Sequence, residues 1–313
     1  MAQFLGIDTS NYTTSAAVYD TENGMLFSEK QLLPVADQEL GLRQSDAVFA
    51  HVKQLPKVVA RLTEGRRFSL KAACVSTRPR SQEGSYMPAF LVGKCAAELI
   101  GHFLGIPVYS CSHQEGHILA ALYSAQGMEL LNHEFYAFHV SGGTTECLLV
   151  RPDEELFSVE LLARTLDLNA GQLIDRVGGM LGIAFPGGME LDRLAVSCKA
   201  DFPKPKPAFR GLDCHFSGAE NQCRDLLAKG LPREAVARYA VEYVGMAVEG
   251  MTQRVLAAYG DKPLLYAGGV MSNSLISKRI SEKYGGRFAE PRFSSDNASG
   301  PAILAAMKYG AVE

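Results

Sequence analysis

The feature that most constrains the fold is a pattern that occurs twice. Near the start, Phe4-Leu5-Gly6-Ile7-Asp8 reads as a short apolar strand, Thr9-Ser10-Asn11 as a polar turn, and Ser15-Ala16-Ala17-Val18-Tyr19 as a returning strand. Much later, residues 135–140, the turn Ser141-Gly142-Gly143-Thr144-Thr145 and residues 146–150 repeat the theme. Such an echo predicts two domains of related design. Each turn can offer hydroxyls or backbone N–H groups to an anion, because small residues let the backbone approach closely. Taken alone, each is equally a plain turn.

Strands and helices alternate after each opening. Asn23-Gly24 signals a hairpin into Met25-Leu26-Phe27. Val48, Val52, Leu55, Val59 and Leu62 repeat at helical spacing, with Pro56 expected to interrupt the helix. A buried strand at 72–76, a loop at 77–88, a helix at 89–104 and a strand at 107–109 follow. This alternation implies parallel strands with helices on the faces. Asn132-His133-Glu134 marks a composition shift, giving domains of 1–133 (closed by a helix at 297–313) and 134–296. In the second, a helix begins at Asn169, and Phe185-Pro186-Gly187-Gly188 is a sharp loop. The loop 199–210 carries Lys204 and Lys206 and is one candidate for touching a phosphate backbone. A long helix spans 232–259. Gly268 and Gly269 then turn a buried strand into a helix N-terminus, which favours anions, and Asn273 can bond a ribose or base edge. A simple turn explains the same residues.

Composition narrows the function. A chain of 313 residues, 47% apolar and 21% charged, suits two soluble domains. A net charge of −3 argues against a basic nucleic-acid binder, so RNA contact needs a local patch or a partner. The start lacks a basic segment followed by an apolar one, and no apolar run is long enough to span a membrane. The seven cysteines form no C-x-x-C and read as reduced thiols. A cytoplasmic location without membrane attachment is expected.

The strongest chemical signal is His113-Gln114-Glu115-Gly116-His117, at the head of the apolar run Ile118-Leu119-Ala120-Ala121-Leu122. On a helix, positions i and i+4 share a face, so both imidazoles can reach one point. Imidazole is a common ligand for zinc and iron, but two ligands rarely suffice. The pattern is not H-E-x-x-H, since Glu115 points to another face than a zincin base would. Two surface or capping histidines would leave the same trace. In Ser294-Ser295-Asp296-Asn297-Ala298, Asp296 at a helix start is either an N-cap or the missing ligand.

Taken in order, these motifs resemble those of the TsaD (YgjD/Gcp) family, formerly called O-sialoglycoprotein endopeptidases. The set is Gly6-Ile7-Asp8-Thr9-Ser10, His113-x-Glu115-Gly116-His117, Val140-Ser141-Gly142-Gly143-Thr144-Thr145, Gly171-x-x-x-Asp175, Phe185-Pro186-Gly187-Gly188, Phe216-Ser217-Gly218, Ala267-Gly268-Gly269-Val270-x-x-Asn273 and Ser295-Asp296-Asn297. The resemblance implies an α/β fold of two ribonuclease-H-like lobes around a nucleotide cleft, as in actin, sugar kinases and heat-shock ATPases. It implies transfer of a threonylcarbamoyl group from threonylcarbamoyl-adenylate to the adenosine beside a tRNA anticodon. By carry-over, His113, His117 and Asp296 hold a divalent iron or zinc ion. The first turn (Asp8, Thr9, Ser10) and the backbone of His139, Val140, Ser141, Gly142 and Gly143 serve the phosphates of ATP or the adenylate. Asp175, Gly188 and Asn273 serve its ribose and base, beside the anion-favouring turn at Gly268 and Gly269. tRNA and other proteins of the threonylcarbamoylation complex are the implied partners.

The chain departs from the family at several points. Asn11-Tyr12-Thr13 stands for Cys-Asp-Glu, and Thr144 for the His after Ser-Gly-Gly. Gly171-Gln172-Leu173-Ile174-Asp175-Arg176 stands for Gly-Glu-Ala-Phe-Asp-Lys, Glu220 for a Lys, and Arg78-Pro79-Arg80-Ser81 for the Gly-Pro-Gly loop. Nucleotide and metal ligands are kept better than the substrate surroundings. This marks a divergent member, with two alternatives: a carbamoyl transferase with another acceptor, or a non-catalytic nucleotide-binding paralogue. A metallopeptidase lacks its general base here.

Overall fold

The first two strands carry small and apolar residues on both faces and are buried along nearly their whole length, so helices must cover the sheet on either side. The structure, a computed structural model, describes residues 2–10, 12–34, 43–293 and 296–312. Asn11, Ser294 and Ser295, named in the motifs above, lie outside the described residues. The chain divides into two compact units, Met1–Tyr123 with Ser295–Glu313, and Ser124–Ser294.

In the first unit, β1 (Gln3–Asp8), β2 (Thr13–Asp20), β3 (Met25–Leu32), β4 (Leu70–Arg78) and β5 (Val108–Ser112) form a sheet of order β3-β2-β1-β4-β5. The first three are antiparallel neighbours, and β4 and β5 join in parallel. Leu5, Ile7, Ala16, Val18, Ala73 and Val75 face Leu55, Val58, Leu62 and Ala97 of two helices, α1 (Gln44–Thr63) and α2 (Phe90–Leu104). Pro56 does not interrupt α1, which runs on through it. Burial of Leu55, Val58 and Leu62 on either side offsets the one missing donor. The opposite face meets a closing helix (Ser299–Lys308), where Ala17 packs on Ala298 and Ala302. The histidine helix, α3 (His113–Ser124), starts directly at the end of β5.

The second unit repeats this order. β6 (Phe135–Val140), β7 (Thr145–Asp153) and β8 (Leu156–Arg164) are antiparallel neighbours. Helices α4 (Ala170–Met180) and α5 (Gly188–Val196) follow, then a small hairpin of β9 (Ala208–Arg210) and β10 (Asp213–His215). Next come α6 (Ser217–Ala228), α7 (Arg233–Tyr259), β11 (Leu264–Ala267), α8 (Ser274–Tyr284) and β12 (Arg287–Phe288). The sheet order is β12-β11-β6-β7-β8, with β11 parallel to both β6 and β12. Its core joins Tyr136, Phe138 and Tyr266 to Val236, Tyr243, Ala247, Met251 and Val255 of α7. The closing helix, α9, returns the chain to the first unit. Sequence patterning anticipated neither β8 nor the β9–β10 hairpin.

Candidate metal centre and nucleotide cavity

β5 delivers the chain straight into α3, so His113 opens the helix and His117 stands one turn later on the same face. Their Nε2 atoms are 2.9 Å apart. Asp296 Oδ1 lies 3.3 Å from His113 Nε2 and 3.2 Å from His117 Nε2. Two imidazoles and a carboxylate thus converge, their ligand atoms all within 4.8 Å of one another. Metal–ligand bonds of about 2.1 Å at 90–110° imply donor separations of roughly 3.0–3.4 Å. The observed triangle fits a divalent ion. The cap position of α9 is Ala298, so Asp296 lies outside it; Asn297 Oδ1 accepts from Ser299 N at 3.0 Å.

The crossing of two helices produces this convergence. A Cβ on Gly300 would lie 1.9 Å from the Gly116 carbonyl oxygen, and one on Gly116 would lie 3.1 Å from Pro301 Cδ. The glycine inside the histidine motif lets α9 approach α3 closely enough to present Asp296.

Asp8 supports the centre from below. His113 Nδ1–H donates to Asp8 Oδ2 at 2.8 Å, leaving Nε2 to face the other donors. The Ser76 hydroxyl donates to the same oxygen at 2.5 Å, while Ser10 N–H and Oγ–H donate to Oδ1. A carboxylate behind a ligating imidazole fixes its ring and raises its basicity. Burial opposes ionisation throughout, yet Asp8 and Asp296 hold the His113 imidazolium up to about 10. Burial would raise both carboxyls as well. The histidines and hydroxyls outweigh it, holding Asp8 below and Asp296 well below the usual range.

The expectation that Thr9 and Ser10 present free hydroxyls to a phosphate is corrected. Asp8, Thr9 and Ser10 are buried. Thr9 Oγ1 donates to Ala89 O and accepts from Gly93 N, and Ser10 is spent on Asp8. Glu115 caps its own helix, accepting from Ser112 N and the Ser81 hydroxyl, and so does not face the centre.

Two residues here escaped the sequence reading. Ser76 is one. The other is Lys30, which lies in register with Ser15, itself opposite Asp8. Cross-strand partners share a face, so Lys30 sits on the side that carries the donors, and it feels the charge of Asp296.

In the second unit, Gly142, Asp175, Gly188, Gly269 and Asn273 line one cavity of about 300 Å³, with Ile174 and Val270 as apolar walls. Five positions scattered through the sequence thus meet. A Cβ on Gly171 would lie 2.6 Å from Gly142 N, so only glycine lets α4 start against the Ser141–Gly143 turn. Ser141 Oγ accepts from Thr144 N to close that turn. Asp175 Oδ1 accepts from Gly187 N at 2.9 Å and holds the Phe185–Gly188 loop over the cavity wall. Asn273 Oδ1 caps α8, accepting from Leu275 N and Ile276 N, so that oxygen is not available to a ribose. His139, Val140, Ser141, Gly143 and Gly268 do not line the cavity. His139 and Val140 pair within the sheet, and Gly268 packs on the Val140 backbone. Asp192, not anticipated, lines the cavity and accepts from Ser274 N and Oγ.

One departure from the family pattern is matched by its neighbours. Glu220 pairs with Arg176 at 2.9 Å and Arg224 at 3.1 Å. Its reversed charge is answered by neighbouring arginines.

Comparison with known proteins agrees with this layout. A family model described as TsaD, tRNA N6-adenosine threonylcarbamoyltransferase, matches residues 36–302. Among solved structures, full-length HypF in its phosphate- and nucleotide-bound form superposes with a TM-score of 0.59 at 13% identity. All of this chain is covered, but it spans only 47% of the HypF chain. The Acidaminococcus fermentans (R)-2-hydroxyglutaryl-CoA dehydratase component A gives 0.57 at 14% identity, covering 99% of this chain and 100% of that one. A ROK family glucokinase from Streptomyces griseus, in complex with glucose and AMPPNP, gives 0.55 at 12% identity, covering 97% and 99%. At such identities the likeness concerns the fold, that of the actin, sugar-kinase and heat-shock-ATPase group.

Proposed function

The chain belongs to the TsaD family, whose members are transferases acting on tRNA, and from that premise we propose that it moves a threonylcarbamoyl group from threonylcarbamoyl-adenylate onto an adenosine amine of tRNA. The observation that carries this reading is the convergence of His113, His117 and Asp296, with Asp8 locking the ring of His113. These three side chains would hold one divalent ion, iron or zinc. When bound, the ion supplies Lewis-acid charge for the oxygens on which negative charge gathers as the adenylate leaves.

The chain's own residues do the rest. The second-unit cavity takes the adenosine end of ATP or the adenylate against Ile174 and Val270, with Asp175 as its polar anchor. Backbone N–H groups of the Ser141–Gly143 turn and the start of α4 suit the phosphate. The amine attacks the carbamoyl carbon, the bond from that carbon to the phosphate oxygen breaks, AMP departs with the electron pair, and the amine's proton passes to solvent. The substrate amine is the nucleophile, so no serine or cysteine triad is required. The protein works in the cytoplasm with the other proteins of the modification complex. Among the described residues, no helix is long and apolar enough to cross a membrane.

The arginine loop at 78–81 and the Arg176–Glu220 pair favour a second reading, the same chemistry on another acceptor. The test is incubation of metal-loaded protein, threonylcarbamoyl-adenylate and tRNA, with mass spectrometry of the nucleosides. Threonylcarbamoyladenosine and AMP in equal amounts support the first reading. AMP release with unmodified tRNA, and with the threonylcarbamoyl group recovered on another added amine, selects the second. Nucleotide binding without any AMP release leaves only the non-catalytic paralogue.

A further inference from the structure

Proline stands at every second position from 203 to 207, in the run Phe202-Pro203-Lys204-Pro205-Lys206-Pro207. Proline fixes its own φ and confines the residue before it to extended backbone, so the whole run is held straight. Three missing N–H groups also keep it out of a sheet ladder. Along the run and into β9 the side chains alternate. Pro205 is buried and Phe209 half-buried, while Lys204, Lys206, Ala208 and Arg210 are exposed. Phe202 and Phe209 are seated on the second-unit core. Phe209 lies over Gly250 of α7, where a Cβ would collide with its ring, and the Arg254 guanidinium covers it, 3.8 Å from the ring centroid. Tyr243 ties the hairpin down, its hydroxyl accepting from Ala208 N at 3.4 Å and donating to His215 O at 3.1 Å.

The outward row is therefore three cations on a stiff backbone. Two residues of extended chain advance about 6.6 Å, so Lys204, Lys206 and Arg210 span about 20 Å. None of the three forms an ion pair among the described residues. Asp213, opposite Arg210 across the hairpin, turns its carboxylate to Arg164 N at 2.8 Å. Residues 199–210 carry four cations and one acid, Asp201, in a chain whose net charge is −3. Protein surfaces normally intersperse both signs, and a straight row without counter-charge fits a linear polyanion. We propose that this strip is a rail for a nucleic-acid strand, with Lys204, Lys206 and Arg210 contacting phosphates along its backbone. The inference rests on the reading of RNA as the acceptor and names the surface that grips it. Phosphate contacts position a strand without reading its sequence. Phe209, covered by Arg254, offers no face for a base to stack on, so the rail is indifferent to sequence. The prolines set the cations in line before the strand arrives, which lowers the ordering cost of binding.

The experiment is fluorescence anisotropy of labelled tRNA, and of a poly(U) strand, with the full chain between about 50 and 200 mM salt. Circular dichroism confirms that each variant is folded. Log affinity should fall linearly with log salt, and the three cations should supply about 2 of the slope. Lys204→Gln, Lys206→Gln and Arg210→Gln should each weaken binding about 3–10-fold and remove about 0.7 of the slope, on both RNAs alike. The triple variant should lose about 2. Pro203→Gly/Pro207→Gly keeps every charge, and should weaken binding about threefold at unchanged slope. Asp296→Asn should bind tRNA within about twofold of the wild type, since the rail lies apart from the metal donors. A loss in Asp296→Asn equal to that of the triple variant places the grip at the metal centre and overturns the rail. A wild type that binds neither RNA at the lowest salt overturns it, and so does a triple variant with the wild-type slope, which leaves the strip to a protein groove. Tighter binding to phosphatidylserine vesicles than to either RNA assigns the strip to a membrane surface and overturns it as well. tRNA held through these cations but never modified sinks the proposed reaction and leaves the rail standing.

Discussion

The carbonyl oxygen of Gly116 occupies the space where a side chain on residue 300 would begin, 1.9 Å from its Cβ position. That contact ties the middle of the histidine motif to the first turn of α9, and so sets the distance from Asp296 to both imidazoles. Gly300→Ala cannot be accommodated without separating the two helices. The expected cost is about 1–3 kcal/mol of stability from overpacking, with at least about tenfold weaker metal binding. Urea denaturation and a chelator competition with zinc read the two effects. Wild-type metal affinity in this variant would show that the crossing does not position Asp296.

Asp8 touches no other donor of the triad, yet it fixes the ring of His113 through Nδ1. Asp8→Asn keeps the shape and loses the charge. Metal affinity should fall about 10–100-fold, as for other carboxylates behind a ligating histidine. Asp296→Asn, at a donor position, should fall further. Equal losses in the two variants would contradict the division between donor and support.

How much of this was legible follows from the range of each signal. His113 and His117 were readable because helical spacing is local. Asp296 stood open between cap and ligand, since nothing local in the sequence says what a residue meets nearly two hundred positions away. Ser76 and Lys30 were missed because their relation to Asp8 depends on strand register, which a single sequence does not encode at short range. The first turn was misjudged for a similar reason: hydroxyls beside an acid look available until the strands bury them. In the second unit the Gly142 and Gly268-Gly269 turns were singled out from their own chemistry and Asp175 and Gly188 through the resemblance, whereas Asp192, mid-helix and unremarkable in spacing, gave no signal. β8 went unseen because its exposed edge mixes Ser158 and Glu160 into the apolar alternation.

His51 is buried, and its Nε2 has no hydrogen-bond partner among the described residues. Gln54 Nε2 donates to Leu32 O, which turns Gln54 Oε1 toward the Thr14 hydroxyl; Thr14 therefore accepts from His51 Nδ1 at 2.8 Å. Burial pushes the imidazole down to about 4, against the pull of Asp8. Between pH 4 and 6.5 the unfolded chain binds the extra proton, so stability rises with pH across that window and this contribution is complete above it. The span corresponds to about 3 kcal/mol. Denaturant titrations at pH 4.5 and 7 should show a steep difference in the wild type and a shallow one in His51→Asn, which retains a donor to Thr14. Identical slopes would refute the assignment.

Arg176 keeps the positive charge that the family places there, whereas Glu220 reverses a family Lys, and the two now attract. Glu220→Lys would set a cation between Arg176 and Arg224 and should cost about 1 kcal/mol, the pair being partly exposed. Arg176→Glu/Glu220→Lys should recover most of that loss. A double variant less stable than Glu220→Lys alone would mean that the two positions are not coupled.

Lys30 is a cation set beside a cation site. It shares a face with Asp8 through Ser15, whose hydroxyl donates to the Asp8 carbonyl, and Asp296 is the charge it feels. Burial pushes the Lys30 ammonium down against the pull of Asp296, and an ion held by Asp296 would meet that nearby positive charge. Lys30→Met should therefore tighten zinc binding, by about three- to tenfold at low salt, and the gain should shrink as salt screens the repulsion. The opposite sign is expected for anions. Inorganic phosphate should bind the zinc-loaded wild type more tightly than the zinc-loaded variant, because the lysine adds positive charge where the ion alone would have to attract it. If Lys30→Met binds zinc more weakly, the ammonium supports the strand packing around Asp296 instead of opposing the ion, and the electrostatic account of this edge of the centre fails.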